Sequence, residues 1–211
     1  MGDQKFPRKT YSSPRHPWEK NRIDNEREIL EKFGLKNKKE LWKSEAILAS
    51  FRAQARDLQA KLRTENPYAR HQFDLLIGRL NRLSILGEKA NLDDVLSLNL
   101  ENVLDRRLQT IVHKKGLSRT VGQARQLITH GHVLLNGRRV TIPGVLVERS
   151  QEESVQYNPD SPVNDEMHPI RRTLASGKEE TPPAEEAAAK KVEEEIALEE
   201  KSGDEKKEVK E

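Results

Sequence analysis

The sequence predicts an α+β chain: helices first, then a compact helix–helix–sheet module of roughly fifty residues, flanked by a basic extension and an acidic tail. Three observations lead there. Apolar residues recur every three or four positions from about Asn25 to Lys115, the spacing of amphipathic helices. After Gly116 the pattern shortens and then alternates around Asn136-Gly137, as a hairpin requires. Beyond Thr173 the composition becomes Glu, Ala and Lys with Pro182-Pro183, which offers nothing to pack against and predicts a disordered tail.

Residues 1–22 form the extension. Pro7, Pro14 and Pro17 stand among Lys and Arg, with Tyr11 and Trp18 interleaved. Proline blocks helix there and apolar residues are too few for a core. Such an arm suits RNA, its charges on phosphates and its aromatics stacked on bases, with Arg8, Lys9, Arg15 and His16 as the contact candidates.

Four helices are then expected within residues 23–103 and just beyond. Asn25 with Glu28 reads as a reciprocal N-cap, and Gly34 closes that helix. Asn37 with Glu40 repeats the signal and opens a long helix carrying Leu48, Phe51, Ala55, Leu58 and Leu62 on one stripe, stopped by Asn66-Pro67. Arg52, Arg56, Gln59 and Arg63 line one side of it. That run is either a solvated face or a phosphate-tracking one, with Arg52 and Arg56 as candidates. A third helix runs from about Tyr68 to Leu86 with Gly87 at its end. A fourth runs from about Leu100 to Lys115, with Leu104, Leu108 and Ile111 inward and Gly116 as its stop. Asp93-Asp94 reads as a helix cap, not a catalytic pair.

In the module, Thr120 and Gln123 make another capping box, and Val121, Ala124, Leu127 and Ile128 face inward on a helix ending at Gly131. Gly122, Arg125, Gln126 and Thr129 are therefore expected to point outward. VLL-NG-RRVTI is a hairpin with a type I′ turn, Pro143-Gly144 turns the chain into VLVE, and SVQY adds a last strand. Arg106, Arg107, His113, Lys114 and Lys115 precede this helix, Arg119 stands at its start, and Arg138 and Arg139 lie at the hairpin tip. Arginine forks and helix-start N–H groups suit phosphate.

Composition narrows the function. Hydrophobic residues make up 34% and charged residues 35%, so the core is small. The formal charge of +3 divides unequally: residues 174–211 hold 7 Lys against 13 acids, a net of −6, and residues 1–173 a net of +9. A basic body suits a polyanion. The absence of cysteine excludes disulfides, thiol nucleophiles and cysteine-ligated metals. With no apolar leader and no run near the roughly 20 residues of a membrane span, a soluble cytoplasmic chain is expected. His130 and His132 lack a third ligand nearby, so no metal and no cofactor is expected.

The segment LDRRLQTIVHKKGLSRTVGQARQLITHGHVLLNGRRVTIPG resembles the S-four RNA-binding domain. Arg119, Thr120, Gln123, Ala124, Arg125, Gln126, His130, Gly131, His132, Asn136 and Gly137 fall on its R-S/T-x-x-E/Q-A-R-Q-L-I-x-H-G-H-I/V-x-x-N-G pattern. RKTYSSPRHPW, GLKNKKELW and NDEMHPIRR extend the resemblance to the small-subunit ribosomal protein four family of archaeal and eukaryotic cytosolic type, over residues 5–173. The resemblance implies a helical domain (23–103) with the S-four, αL-like domain inserted at 104–147, and residues 148–173 returning to pack on the helices. It implies direct binding to small-subunit ribosomal RNA at a multi-helix junction of the 5′ domain, and nucleation of the subunit body. It also implies neighbours in ribosomal proteins five and twelve, an influence on decoding accuracy, and a place near the messenger entry channel. No membrane or small-molecule substrate is implied. The chain departs from many bacterial members in lacking their cysteine zinc knot, and Pro143-Gly144-Val145 stands where relatives often have Pro-Ser-aromatic.

Two rival classes remain for comparison. A pseudouridine synthase using this domain as its RNA grip would need a separate catalytic domain, for which no residues are left. An assembly factor on the same scaffold would share the module and differ at its ends. Loss of Arg125 is expected to weaken RNA binding, and loss of the acidic tail is not.

Overall fold

The computed structural model describes residues 9–180 except 65, 88 and 89. Arg8 and the tail beyond 180 therefore lie outside the described residues. The chain divides after Asp165.

Helix α1 spans Lys20–Lys32. It starts five residues before the expected cap at Asn25, so the extension ends sooner than residue 22. Its start is held by Arg22, which bonds Glu26 one turn on and the carbonyls of His16 and Pro17 behind it. At its end Gly34, at φ +58°, lets Leu35 N–H reach back to the Leu30 carbonyl at 2.9 Å and its own N–H to that of Glu31 at 3.3 Å. A side chain at Gly34 would also meet the Gln109 amide and Val121.

Helix α2 spans Lys38–Arg63, and its stripe of Leu48, Phe51, Ala55 and Leu58 is buried as expected, with Leu62 partly so. The Asn37 side chain makes no cap bond, and Glu40 is used elsewhere. Asn66 caps α3, Pro67–Arg82, by accepting the Tyr68 N–H at 3.0 Å. The stop of α3 is Ser84, at φ +52°, with Ile85 N–H on the Leu80 carbonyl at 3.1 Å, and not Gly87. Helix α4, Leu92–Ser97, carries a capping box in which the Asp94 carboxylate accepts the Asn91 N–H at 2.8 Å. Leu76, Leu80, Val95, Leu98 and Val103 close the body core against α2.

The expected fourth helix is two. Helix α5, Leu100–Leu104, is separated from α6, Leu108–Lys114, by Arg107 in extended conformation (φ −71°, ψ 142°). Leu104, Leu108 and Ile111 are all buried, so the apolar register is right while the backbone is broken. The break lets Leu108 N–H donate to the Val145 carbonyl at 2.8 Å and Val147 N–H to the Arg106 carbonyl at 2.9 Å. VLVE consequently gives only an isolated bridge, Arg107 with Leu146, and no strand.

Helix α7, Val121–Thr129, ends at Gly131 (φ +77°) and leads into β1, Val133–Leu135, and β2, Arg138–Arg139. Asn136 and Gly137 both have positive φ, 51° and 72°, the type I′ turn the sequence requires. After a short α8, Arg149–Glu152, strand β3, Gln156–Tyr157, pairs with the other side of β1, giving the order β2-β1-β3. Val155, Tyr157 and Val163 share one core with Leu108, Ile111, Ala124, Leu127, Ile128 and Val147. Residues 155–163 thus complete the module, where a return to the helical body was expected. The second unit contains α9, Pro169–Glu180, whose start has the His168 Nδ1 accepting the Ile170 N–H at 3.3 Å. Among the described residues, no helix is long and apolar enough to cross a membrane.

Candidate nucleic-acid interface

The expected contact residues separate into an outward set and an inward set. On the module, Arg119, Thr120, Gln126, His130, Asn136, Arg138 and Arg139 are exposed, as is Lys114, which also pairs with Asp105 at 3.0 Å. Thr120 Oγ1 accepts the Gln123 N–H at 3.1 Å, while Gln123 Oε1 accepts the Arg119 N–H at 2.8 Å. The capping box forms, with its return bond one residue earlier than the motif places it. Both bonds fix the start of α7 beside the Arg119 side chain.

The end of α7 meets the hairpin. Arg139 folds over Gly131, where any Cβ would collide with its guanidinium, and donates to the His130 carbonyl at 3.0 Å. The rings of His130 and His132 lie 6.2 Å apart, and the His132 Nδ1 is 2.7 Å from Ser161 Oγ. These residues line an open groove of about 540 Å³ with Asn158 and Asp160. The Asn136 side chain is engaged by Ser154. Among the described residues no group of three or more metal-ligating side chains comes together.

The inward set corrects the sequence reading. Arg125 does not point out: its guanidinium turns to Glu40 of α2 in a two-pronged bond, 2.7 and 3.2 Å. Arg107, with a side chain only 7% exposed, reaches the same carboxylate at 2.7 Å. Arg106 bonds Glu152 at 3.0 Å and the Val147 carbonyl at 3.2 Å. Arg52 donates to the Leu98 carbonyl and Gln59 to Asp93 at 3.3 Å, so the arginine stripe on α2 is in part its contact with α4. Arg56 and Arg63 remain exposed. In the arm, Arg15 and His16 are exposed, and Lys9 bonds Ser13 at 2.9 Å while lying over the Tyr11 ring.

Glu40 is therefore the centre of a charged seam between body and module. Burial pushes its pKa up, but the hydrogen bonds and charges of Arg125 and Arg107 outweigh that and hold it below the ordinary 4.5. Burial likewise pulls Arg107 below its usual value; Glu40 opposes this and Arg125 adds to it. Beside the charges, the fully buried Gln109 donates its amide to the carbonyls of Gly34 at 2.9 Å and Val121 at 3.0 Å. Neither Glu40 nor Gln109 was singled out as a seam residue by its sequence. Glu40 carried a capping signal, and Gln109 carried none.

Two short helices packed on a three-stranded sheet, with cationic and amide groups at the helix start and hairpin tip, define an RNA-binding module. Residues 106–152 match the S4 domain. The similarity runs much further along the chain. It is 62% identical over 180 residues to small ribosomal subunit protein uS4 of Picrophilus torridus, covering 85% of this chain and 98% of that one. It is 61% identical over 174 residues to the uS4 protein of Thermoplasma acidophilum, covering 82% and 87%. With the uS4 protein of Methanococcoides burtonii it shares 48% over 165 residues, 77% and 90%. The chain belongs to the uS4 family of small ribosomal subunit proteins.

Proposed function

We propose that the chain is a non-enzymatic structural constituent of the cytoplasmic small ribosomal subunit that binds small-subunit ribosomal RNA directly. The observation that carries this is the extent of the similarity, which reaches past the S4 domain through the helical body. The outward set of Arg119, Gln126, His130, Arg138 and Arg139 supports it, because such groups suit phosphates and RNA shape with few base-specific bonds. The finer reading follows the family resemblance. The protein binds a multi-helix junction of the 5′ domain and nucleates the subunit body. Next to ribosomal proteins five and twelve and near the messenger entry region, it influences decoding accuracy.

Binding of the purified chain to its small-subunit ribosomal RNA across a salt series, with transfer RNA as competitor, tests this. Tight binding that survives competitor and needs the 5′-domain junction is expected. Weak binding, equal for both RNAs and lost steeply with salt, would reduce the protein to a general basic RNA binder.

A further inference from the structure

Two aromatic residues of the basic arm, Tyr11 and Trp18, are placed in opposite ways. Tyr11 is packed, its ring stacked on Trp42 of α2 with centroids 6.0 Å apart and planes at 28°, and Lys9 covers it at 4.7 Å. Trp18 is 91% exposed. A lone surface aromatic needs no explanation by itself. What distinguishes this one is that its backbone is held still. Arg22 donates to the carbonyls of the two preceding residues, His16 at 2.9 Å and Pro17 at 3.0 Å. Arg22 is fixed in turn by Glu26, at 2.6 Å, a carboxylate only 7% exposed that also binds Lys38 at 2.9 Å. On the other side of Trp18, the Glu19 carbonyl already accepts the Ile23 N–H of α1 at 3.1 Å. The ring is thus presented from a fixed position, and little ordering cost is left for a ligand to meet.

Its surroundings select the ligand. Arg15, His16 and Lys20 are exposed within three residues of it along the chain, as is Glu19, whose carboxylate lies 3.8 Å from the Arg22 guanidinium. A flat ring among cations suits a polyanion that carries flat faces of its own. Nucleotides outside a duplex have both, and stacking accepts any base because every base has a π-face. We propose that Trp18 is a stacking platform for an unpaired RNA base, with Arg15 and His16 on the adjoining phosphates and Tyr11 serving only to dock the arm. This rests on the RNA-binding reading above.

The test uses the full chain and its small-subunit ribosomal RNA, reading tryptophan emission and affinity for wild type, Trp18→Phe, Trp18→Ala and Arg15→Ala. Wild-type emission should be quenched by RNA beyond what Trp18→Phe, which keeps only Trp42, shows. Trp18→Ala should bind roughly 5- to 100-fold more weakly, with Trp18→Phe recovering part of the loss. Because stacking releases no counterions, the salt slope of Trp18→Ala should match wild type, whereas Arg15→Ala should lower it by about one. The melting temperature of Trp18→Ala should be unchanged, since the ring covers nothing. Equal quenching in wild type and Trp18→Phe, with affinity unaltered, would overturn the platform and leave the ribosomal reading intact. An emission change produced by other small-subunit proteins and not by RNA would overturn it in favour of a protein contact. Absence of specific RNA binding by the wild type would remove the ribosomal reading and this one together.

Discussion

The core of the helical body is buried and the seam joining it to the S4 module is partly so, and they are built from different materials. Between α2, α3 and α4 the contacts are Phe51, Ala55, Leu58, Leu76, Leu80 and Val95. At the seam they are Glu40, Arg107, Arg125 and Gln109. Apolar burial is non-directional and indifferent to pH. A carboxylate shared by two guanidinium forks is directional, costs desolvation, and titrates. The body is therefore held by area and the seam by geometry. Beside the apolar contact of Leu146 with the body core, directional polar groups join the module to α2.

The contrast can be broken or sharpened by substitution. The largest effect is expected for Glu40→Ala, which leaves the Arg107 charge buried without its partner and should cost about 3–5 kcal/mol in urea unfolding. Leu80→Ala, at a fully buried position in the body, should cost about 2–5 kcal/mol. The two are told apart by acid. Glu40 has its pKa held below 4.5 in the folded chain, so its contribution is complete above that value and is lost as pH falls through the lower folded one. The stability gap between wild type and Glu40→Gln should therefore shrink in acid, while the gap for Leu80→Ala stays constant. A constant gap for Glu40→Gln would make the seam no more electrostatic than the core. The smallest effect is a gain. Ser84→Gly relieves the left-handed backbone that ends α3 and should raise stability by about 0.5–1 kcal/mol in thermal unfolding.

Local signals in the sequence were reliable where local physics decides. Gly34, Gly116, Gly131 and Asn136-Gly137 stop or turn the chain where left-handed backbone is needed, and the α2 stripe is buried as its spacing requires. The break at Arg107 was invisible, because Leu104, Leu108 and Ile111 keep helical spacing whether or not the helix is continuous. What breaks it is pairing with Val145, Leu146 and Val147, some forty residues on. The cap read at Asn25 and Glu28 was a spacing that occurs inside a helix as readily as at its start. In the site, the motif gave which residues cluster and not which way they turn. Arg125 turns inward because of Glu40, 85 residues earlier, and no window of sequence holds both.

The sheet order β2-β1-β3 has a consequence for how the chain is made. The buried residues of the body core have all left the synthesising ribosome by residue 103, with only Leu146 still to pack against them, but the module core waits for Val155, Tyr157 and Val163. At typical elongation rates that interval is roughly several seconds. From the emergence of the hairpin until β3 follows, β1 has one edge unpaired and its apolar side incompletely covered. A nascent chain halted near residue 150 would hold a folded body attached to an open module, the species of this protein most exposed to strand addition and aggregation.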